Sequence, residues 1–492
     1  MSESLVAQLA GHAVVQPGVP AVVMGERRVD YAELTAMTAA AAARITALGL
    51  RTGDRVAVHA AKSPETVALM AACLRMRVPF LLPSVELGAD TFSALLQRAD
   101  CGDILAAGPV DAAVGQRIHE ITGPAASAAQ PPAEPGHPDD VSLLLTTSGS
   151  TGLPKIVPIT AGAIDAFTTW AADHFGIRPG TAVLNYAPFN FDLCLLDVWT
   201  TLAAGGTVVL VEAHRSTNGK HIAGLVRQNR VEVVQAVPML FRLLVDAWDG
   251  VPFADVRHVV LTGDKASAKL LAALPELFPN AAISNVYGCT ETNDSFEYRV
   301  DPADVPDPLP IGTPLPGVDA VVVAEDGTVL TGPATGELHV RTPFQTPGYH
   351  GGGNDRFVAL PGRDGVYFRS GDLVSRDADG VHTLLGRNDF QVKVRGTRIN
   401  LEEIEHVLLA HDAVTEAAVV GVPDDLAGVR VHAVVRGAGL DSLALREHCR
   451  LRLPRVAIPA GLQIVTEPLP RTSTGKVDRQ RIRQSIVNGS TA

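Results

Sequence analysis

Short apolar runs with the character of β-strands alternate with helix-like segments along most of the 492-residue chain. Between residues 181 and 277 the runs TAVLNY, TVVLV, VEVVQAV and VRHVVLTG are separated by helical patterns, and the last helical pattern lies near 266–277. This alternation is typical of βαβ units, whose strands lie mainly parallel in one sheet. It therefore predicts an α/β fold.

Two early segments carry the signals of helix N-termini. Asp30 precedes an alanine-rich run with Glu33 three residues further on, and Ser63 precedes a proline in the first helical turn. A short acidic or hydroxyl side chain at such a position can accept a hydrogen bond from a free backbone N–H group. We therefore expect helices that begin directly after Asp30 and Ser63.

Changes in composition divide the chain into parts. Segment 122–140 is rich in Ala, Pro and Gly and predicts a connection between subdomains. From about residue 309 short β-rich pieces follow one another with Gly and Asp turns, which predicts an antiparallel sheet or small barrel over about 309–387. The remaining residues, 388–492, predict a separate α+β domain after a large domain that spans 1–387.

Composition excludes several classes of protein. The net charge is −12 and no long Lys/Arg block occurs, which disfavours nucleic acid or an anionic membrane as the main partner. Five scattered cysteines without a C-x-x-C pair indicate neither a zinc site nor a disulfide framework, so we expect free thiols in a reducing cytoplasm. The N-terminus lacks the basic start and apolar core of a signal peptide.

A loop rich in hydroxyls and glycines follows the apolar run at 143–145, in LLLTTSGSTGLPKIVPIT. Its exposed backbone N–H groups can form an anion-binding nest, and Lys155 can add positive charge. The glycine spacing differs from the G-x-x-x-x-G-K-[ST] phosphate loop. From the residues alone, a phosphate site and a simple polar turn are equally good interpretations.

Four later segments each admit a functional and a structural interpretation. In NVYGCTET, Tyr287 can stack on a purine and Glu291 can hold Mg²⁺, or the segment is a strand-end turn. In YFRSGDLV, Asp372 can accept both hydroxyls of a ribose, or it belongs to an ordinary Gly-Asp turn. A charged hairpin followed by a helix is predicted for the segment LGRNDFQVKVRGTRINLEEIE. Lys476 lies in a predicted loop, in the segment PRTSTGKVDR.

Taken together and in this order, these five segments resemble the core motifs of the adenylate-forming superfamily, which includes acyl-CoA synthetases, luciferases and the adenylation domains of nonribosomal peptide synthetases. The resemblance extends over nearly the whole chain. It implies a large N-terminal domain of two α/β subdomains and a small β-barrel subdomain, followed by a mobile α+β C-terminal domain that carries the catalytic lysine. It also accounts for the glycine spacing of the loop.

The resemblance implies a two-step reaction with ATP and Mg²⁺. A carboxylate attacks the α-phosphorus of ATP to give an acyl-adenylate and pyrophosphate, and a thiol then displaces AMP. Catalytic roles fall on Lys476, Thr290 and Glu291, and Glu291 is also the metal ligand. Tyr287 would stack on adenine, and Asp372 and Arg387 would bind ribose. The full set of implied ATP contacts is Thr147, Ser148, Gly149, Ser150, Thr151, Gly152, Lys155, Asn285, Tyr287, Gly288, Asp372 and Arg387.

Asp389 matches the hinge position of the superfamily. The resemblance implies that rotation at this residue withdraws Lys476 after the first step and brings the strand at 390–400 to the site for the second. Gly396 would then lie near the path of the thiol.

The stretch APFNFDLCLLDVW bears on which carboxylate is activated. Its Phe191-Asp192 pair resembles the motif that supplies a carboxylate for the α-ammonium group in amino-acid-activating members. The alternative is that Asp192 caps a helix that starts near Leu193. By resemblance, the substrate pocket comprises Asp192, Leu193, Leu196, Gln235, Val260, Thr262, Val286, Gly288, Asp294 and Ser295. This mixed wall predicts a small neutral amino acid such as alanine, glycine, serine or proline.

Departures from the common motifs refine the expectation. The chain has Cys289 in Tyr-Gly-Cys-Thr-Glu and Asp264 in Thr-Gly-Asp, where relatives often have Pro and Glu. With TETNDSF, these traits resemble stand-alone amino-acid ligases of polyketide and macrolactam pathways, which load the phosphopantetheine thiol of a separate carrier protein. The alternatives are an acyl- or aryl-CoA ligase, a β-amino acid or basic substrate paired with Asp294, and a non-catalytic nucleotide-binding protein.

Overall fold

The structure of the protein is a computed structural model. It describes residues 5–84, 87, 89–107, 117–121, 136–147, 154–387, 391–424, 428–437, 439–470 and 477–489, and the description of residues 387 and 398 is limited to their backbone.

The strands of the large domain and of its β-rich part follow in chain order. They are β1 Pro20–Met24, β2 Arg27–Asp30, β3 Val56–Val58, β4 Phe80–Leu81, β5 Asp103–Ala106, β6 Arg117–Glu120, β7 Val141–Thr147, β8 Lys155–Thr160, β9 Ala182–Asn185, β10 Thr207–Leu210, β11 Val233–Ala236, β12 His258–Thr262, β13 Ala282–Cys289, β14 Asn293–Arg299, β15 Thr313–Pro314, β16 Asp319–Val323, β17 Val329–Leu330, β18 Ala334–Arg341, β19 Phe357–Ala359, β20 Val366–Arg376 and β21 His382–Arg387. The C-terminal strands are β22 Gln391–Val394, β23 Thr397–Asn400, β24 Val414–Asp424, β25 Gly428–Gly437 and β26 Gly461–Val465.

The α-helices are α1 Leu5–Val15, α2 Tyr31–Ala47, α3 Pro64–Met76, α4 Ala89–Arg98, α5 Ala161–His174, α6 Thr201–Ala203, α7 Gly219–Gln228, α8 Pro238–Asp246, α9 Ala268–Leu277, α10 Leu401–Leu409, α11 Ser442–Arg450 and α12 Arg479–Val487. Short 3₁₀ turns occupy Ala213–Arg215 and Arg455–Ala457, and a π-helix occupies Leu195–Thr200. Within the described part of the chain, no helix is both long and apolar enough to cross a bilayer.

Two mixed sheets form the large domain. The first has the strand order β15-β14-β13-β12-β11-β9-β10-β1-β2, and its central strands are parallel. The second has the order β6-β5-β3-β4-β7-β8 and is parallel except for the β7–β8 pair. Helices pack against both sheets, so a continuous apolar core lies between them. The predicted α/β fold is confirmed.

A six-stranded antiparallel sheet follows in the chain. Its order is β17-β16-β18-β20-β19, and β21 pairs with the second half of β20. This sheet occupies the region for which the sequence predicted β-rich structure. It packs on the first sheet through Tyr287 and Phe296, which share an apolar cluster with Val340 and Val374.

The C-terminal part consists of the β22–β23 hairpin and the three-stranded sheet β24-β25-β26. Helix α10 packs on this sheet through Ile404 and Leu408, and α12 packs on it through Ile482. This part therefore has an apolar core of its own, as expected for the predicted α+β domain.

Both predicted helix starts are confirmed. The Asp30 carboxylate accepts the Glu33 N–H at 2.8 Å, and Ser63 Oγ accepts the Thr66 N–H at 3.1 Å. The helix expected near Leu193 differs, because it begins at Leu195 and its first six residues have π geometry. All five cysteines lie in the described part of the chain and are free thiols.

Candidate active site

One face of the first sheet carries four residues of the predicted pocket wall. Parallel pairing sets Gln235 beside Val260, and the next row sets Thr262 beside Val286. Residues in the same register on neighbouring strands, or two apart on one strand, point to the same face. These four side chains therefore lie on one surface, and all four are buried.

The π-helix covers this surface. Leu196 is completely buried in the same apolar cluster as Val260 and Val286, whereas Leu193, one turn earlier, is half-buried. The hydroxyls of Thr200 and Thr201 donate to the carbonyl oxygens five residues earlier, at 2.8 and 3.3 Å. The wide turn is thus held by side-chain bonds, and it aims the Leu196 side chain at the sheet.

Asp192 lies at the entrance to this helix and faces the end of β13. Burial raises the pKa of the Asp192 carboxyl above its ordinary value, and the negative charge of Glu291 acts in the same direction. The Thr290 hydroxyl and the Lys393 ammonium group oppose this rise because they stabilise the charged form. The structure therefore brings Asp192, Thr290 and Glu291 together.

A second carboxyl group lies next to Asp192. Asp294 pairs with Gly288 across the β13–β14 hairpin and is buried. Burial, with the charges of Asp192 and Glu297, raises the pKa of Asp294 to about 8. Its neighbour Ser295 has no exposed surface, and its hydroxyl donates to Thr292 Oγ1 and to the Asn293 carbonyl oxygen. Asp294 thus lies close enough to Asp192 to feel its charge, while the hydroxyl of Ser295 bonds within the fold.

Glu291 lies deep in the site, and the hydroxyl of Tyr349 donates to its Oε1 at 2.6 Å. The Lys155 ammonium group lies 4.3 Å from the centre of the Tyr349 ring. Thr346 fastens this segment, because its hydroxyl donates to the Pro158 carbonyl oxygen at 2.6 Å. Tyr349 therefore joins the predicted metal ligand to the lysine of the phosphate loop.

The predicted nucleotide residues Tyr287 and Asp372 are in contact. The Tyr287 hydroxyl donates to the Asp372 carboxylate, and Ser370 Oγ accepts the Asp372 N–H at 3.0 Å. The Tyr287 ring makes an edge contact with Phe296, with ring centres 5.8 Å apart. Asn285 lies at the same edge and donates to the Pro310 carbonyl oxygen at 2.7 Å. Tyr287 thus has a fixed position between the first sheet and the β-rich part.

The phosphate loop is bounded by a described residue at each end. Thr147 pairs with Lys155 in the β7–β8 ladder, so the two ends of the loop are held together. The Thr147 hydroxyl is buried and has no hydrogen-bond partner among the residues that the structure describes. A buried hydroxyl of this kind at the edge of an anion loop fits a phosphate oxygen. The other loop residues named from the sequence lie outside the described residues, namely Ser148, Gly149, Ser150, Thr151 and Gly152.

Three further predicted positions are not tested by the geometry. Lys476 and Asp389 lie outside the described residues. Arg387 pairs with Asp372 in the β20–β21 ladder, which sets its backbone beside the predicted ribose ligand.

Magnesium is the ion that the resemblance implies. In the described part of the chain, no cluster of three or more His, Cys, Asp or Glu side chains could hold a metal by itself. Mg²⁺ in nucleotide sites is commonly held by one or two carboxylates together with phosphate oxygens. A single buried carboxylate, Glu291, beside the phosphate loop fits that pattern.

A buried charge network below the pocket was not predicted from the sequence. Lys62 Nζ donates to the carbonyl oxygens of Asn185 and Tyr186, and burial lowers the pKa of Lys62 to about 7, an effect opposed chiefly by the charge of Asp197. Asn185 also donates from its side chain to Asp197 at 3.3 Å. The only sequence signal was a lysine directly before the Ser63 helix cap. Tyr349 was missed as well, because none of the motifs recognised in the sequence contains it.

The β22–β23 hairpin of the C-terminal part lies over this site. Lys393 acts electrostatically on Asp192 and on Asp264, and Arg395 acts on Tyr186. The hairpin backbone at Gly396 approaches Val237, at the beginning of α8. The site is therefore formed by both parts of the chain.

Comparisons with known proteins agree with this geometry. The family described as "AMP-binding enzyme" matches residues 9–350, and its C-terminal domain matches residues 403–476. An L-proline--[L-prolyl-carrier protein] ligase of Streptomyces coelicolor is 35% identical over 93% of this chain and 92% of its own length. A D-alanine--D-alanyl carrier protein ligase of Bacillus licheniformis is 27% identical over 98% of this chain and 99% of its own.

A solved structure gives the same result. NpsA-ThdA from Klebsiella oxytoca, an artificially fused adenylation–PCP di-domain, aligns with a TM-score of 0.81 at 25% identity. The alignment covers 94% of this chain and 93% of that chain. With the family match over most of the sequence, these similarities mean that the chain belongs to the AMP-binding enzyme family.

Proposed function

We propose that the protein activates a small neutral amino acid as aminoacyl-AMP and transfers it to the phosphopantetheine thiol of a separate carrier protein. The observation that carries this proposal is the position of Asp192, half-buried between the pocket wall and Glu291. A carboxylate there supplies a charge-assisted partner for the α-ammonium group of an amino acid. The full-length similarity to L-proline and D-alanine carrier-protein ligases supports the same reaction.

In the first step the substrate carboxylate attacks the α-phosphorus of ATP, and pyrophosphate leaves. Two anions must meet, so cationic groups and N–H groups around them provide most of the catalytic stabilisation. Lys155 lies at the end of the phosphate loop, and Lys476 is assigned to the transferred phosphate and the carboxylate. Mg²⁺ held by Glu291 would neutralise charge on the phosphate oxygens. Asp372, beside Tyr287, would orient the ribose.

In the second step the carrier thiol attacks the carbonyl carbon of the adenylate, and AMP leaves. The hairpin over the site, including Gly396, would border the path of that thiol. Asp389 is assigned as the hinge between the two arrangements of the C-terminal domain.

The pocket wall supports a small side chain. Leu196, Val260 and Val286 are buried and belong to one apolar cluster, which favours a small substrate side chain at this wall. Alanine, glycine, serine and proline are therefore the leading substrates. An acyl- or aryl-CoA ligase is disfavoured, because its substrate would bring no ammonium group to pair with Asp192 in the pocket.

A second candidate substrate class has its own observation. Asp294 is buried beside Asp192, so the pocket contains two carboxyl groups. A β-amino acid or an amino acid with a second amine would pair with Asp294.

ATP–pyrophosphate exchange across all proteinogenic amino acids and several β-amino acids tests these proposals. Each amino acid should be paired with its des-amino analogue at the same concentration. We expect exchange with one or a few small neutral amino acids and little with the analogues. Exchange that responds only to acids without an amine would overturn the proposal. A preference for diamino or β-amino acids would identify the second substrate class, which pairs with Asp294, as the correct one.

A further inference from the structure

The turn of the β22–β23 hairpin is seated in a notch of the large domain. The notch is formed by Val237, at the beginning of α8, and by Gly263 and Asp264, directly after β12. These residues border the wall strands β11 and β12 of the pocket. The hairpin therefore docks where the substrate pocket opens.

The fit of the turn is close. Gly396 has a φ of +81°, and a Cβ atom built on it would lie 2.3 Å from Cγ1 of Val237. Gly428, at the beginning of β25, approaches from a second direction, because its Cβ would lie 2.8 Å from a carboxylate oxygen of Asp264. Two separate backbone segments of the C-terminal domain thus meet the same notch.

Charge complements this fit. The Asp264 carboxylate accepts the Lys265 N–H at 2.8 Å. Burial raises the pKa of Asp264, while the N–H of Lys265, the charge of Lys393 and the N–H of Gly396 favour its charged form. Lys393 also acts on Asp192, so one ammonium group of the hairpin lies within reach of two carboxylates of the large domain.

We propose that Asp264 is a positioning residue that holds the β22–β23 hairpin over the pocket for the thioester-forming step, through Gly396 and Lys393. This inference rests on the two-step function proposed above. Asp192 is engaged by the substrate ammonium group in that step, so it no longer compensates the charge of Lys393. The bound ammonium group would repel the positively charged Lys393. The negative charge of Asp264 offsets this repulsion and so keeps Lys393 and the hairpin docked beside the substrate.

The proposed role of Asp264 concerns aminoacyl transfer and not adenylation, so a substitution there should affect the two half-reactions differently. Asp264→Asn keeps the shape of the side chain but removes its charge, so the docked hairpin loses the counter-charge that Asp264 supplies to Lys393. We expect ATP–pyrophosphate exchange to stay within about twofold of the wild type, because the first step uses a different position of the C-terminal domain. Aminoacyl transfer to free pantetheine, measured as thioester by mass spectrometry, should fall about tenfold or more.

Two further variants make the test specific. Gly396→Ala disturbs the same contact from the opposite side and should produce the same split between exchange and transfer. Asp264→Glu should recover part of the transfer rate, since it restores the charge. Asp255→Asn serves as the matched control, because Asp255 lies before β12, the strand that Asp264 follows, and pairs with Arg230 at the surface. This substitution should change neither the exchange rate nor the transfer rate.

Each failure has a distinct signature. Equal transfer by Asp264→Asn and the wild type, or an equal loss of exchange and transfer in a variant with an unchanged melting temperature, would overturn the positioning role. A wild-type enzyme that exchanges pyrophosphate with no amino acid would instead overturn the proposed function.

Discussion

At the scale of single residues, the site is dominated by carboxyl groups that compete for few cations. The charge of Asp192 acts on Asp294, the charge of Asp294 acts on Asp197, and Asp197 in turn acts on Lys62. An empty pocket of this kind disfavours ionisation of all its acids at once. An incoming ammonium group relieves that repulsion, which gives an amine-bearing substrate an advantage over its des-amino analogue.

The role of Asp192 can be measured directly. In Asp192→Ala the ammonium group loses a charge-assisted bond worth about 1.5–3 kcal/mol, so the amino-acid KM in pyrophosphate exchange should rise about 10–100-fold. Discrimination against the des-amino analogue should fall by a similar factor. Asp173→Ala, on the exposed side of α5, is the control. An unchanged KM in Asp192→Ala would show that another group binds the amine.

The raised pKa of Asp294 predicts a pH dependence of stability. Between its ordinary value of 3.8 and about 8, this carboxyl holds a proton in the folded protein that the unfolded chain releases. It therefore makes the folded state progressively less stable as pH rises through this window, by on the order of 3 kcal/mol between about pH 5.5 and 8.

Asp294→Asn removes this proton linkage. The loss of unfolding free energy between about pH 5.5 and 8.5, from urea titrations, should be smaller in the variant than in the wild type by roughly that amount. Parallel pH profiles for the two proteins would contradict the assignment.

At the scale of elements, the π-helix decides the shape of the pocket. A helix start near Leu193 was expected in the alternative reading of Asp192 as a helix cap, and a helix is present, beginning at Leu195. Its π geometry depends on side-chain bonds from Thr200 and Thr201 to carbonyl groups that no periodicity rule anticipates. Helix existence was thus readable from the sequence, but the direction of Leu196 was not.

Thr200→Val tests this element. Valine matches the shape of threonine but cannot donate to the Leu195 carbonyl, so the unfolding free energy should fall by roughly 1 kcal/mol. The specificity between alanine and larger amino acids in exchange should also change, because the turn that directs Leu196 loosens. Thr169→Val on α5, whose exposed hydroxyl bonds the Asp165 carbonyl, should cost less than about 0.5 kcal/mol and leave specificity unchanged.

At the scale of the whole molecule, the proposed two-step reaction predicts that the docked hairpin leaves the pocket before the first step. The Cβ of residue 237 would lie 3.3 Å from a Cβ at position 396, close to the separation in a disulfide. A Val237→Cys/Gly396→Cys double variant should therefore form a reversible cross-link that keeps the hairpin docked.

The oxidised double variant should lose ATP–pyrophosphate exchange at least about tenfold, and dithiothreitol should restore it to the level of the reduced protein. Val237→Cys alone, treated in the same way, separates the cross-link from oxidation of native thiols. Full exchange in a quantitatively cross-linked protein would mean that the docked hairpin is compatible with adenylation.

The sequence by itself determined the family and the α/β architecture, and it predicted the principal acids of the candidate site. Helix caps at Asp30 and Ser63 depend on bonds between residues three apart, and strand–helix alternation depends on local periodicity. Both features can therefore be predicted from short stretches of sequence. The ordered motifs that contain Asp192, Glu291 and Asp372 are likewise short segments.

Only the tertiary structure decided which side chains act together. Tyr349 reaches Glu291 across 58 residues, Lys62 reaches Asn185 across 123, and Asp264 meets a hairpin from the other domain. Such contacts, and the pKa shifts that burial causes in Lys62 and Asp294, depend on how sheets and domains pack rather than on local sequence. The charge balance of the pocket is for that reason a property of the folded chain.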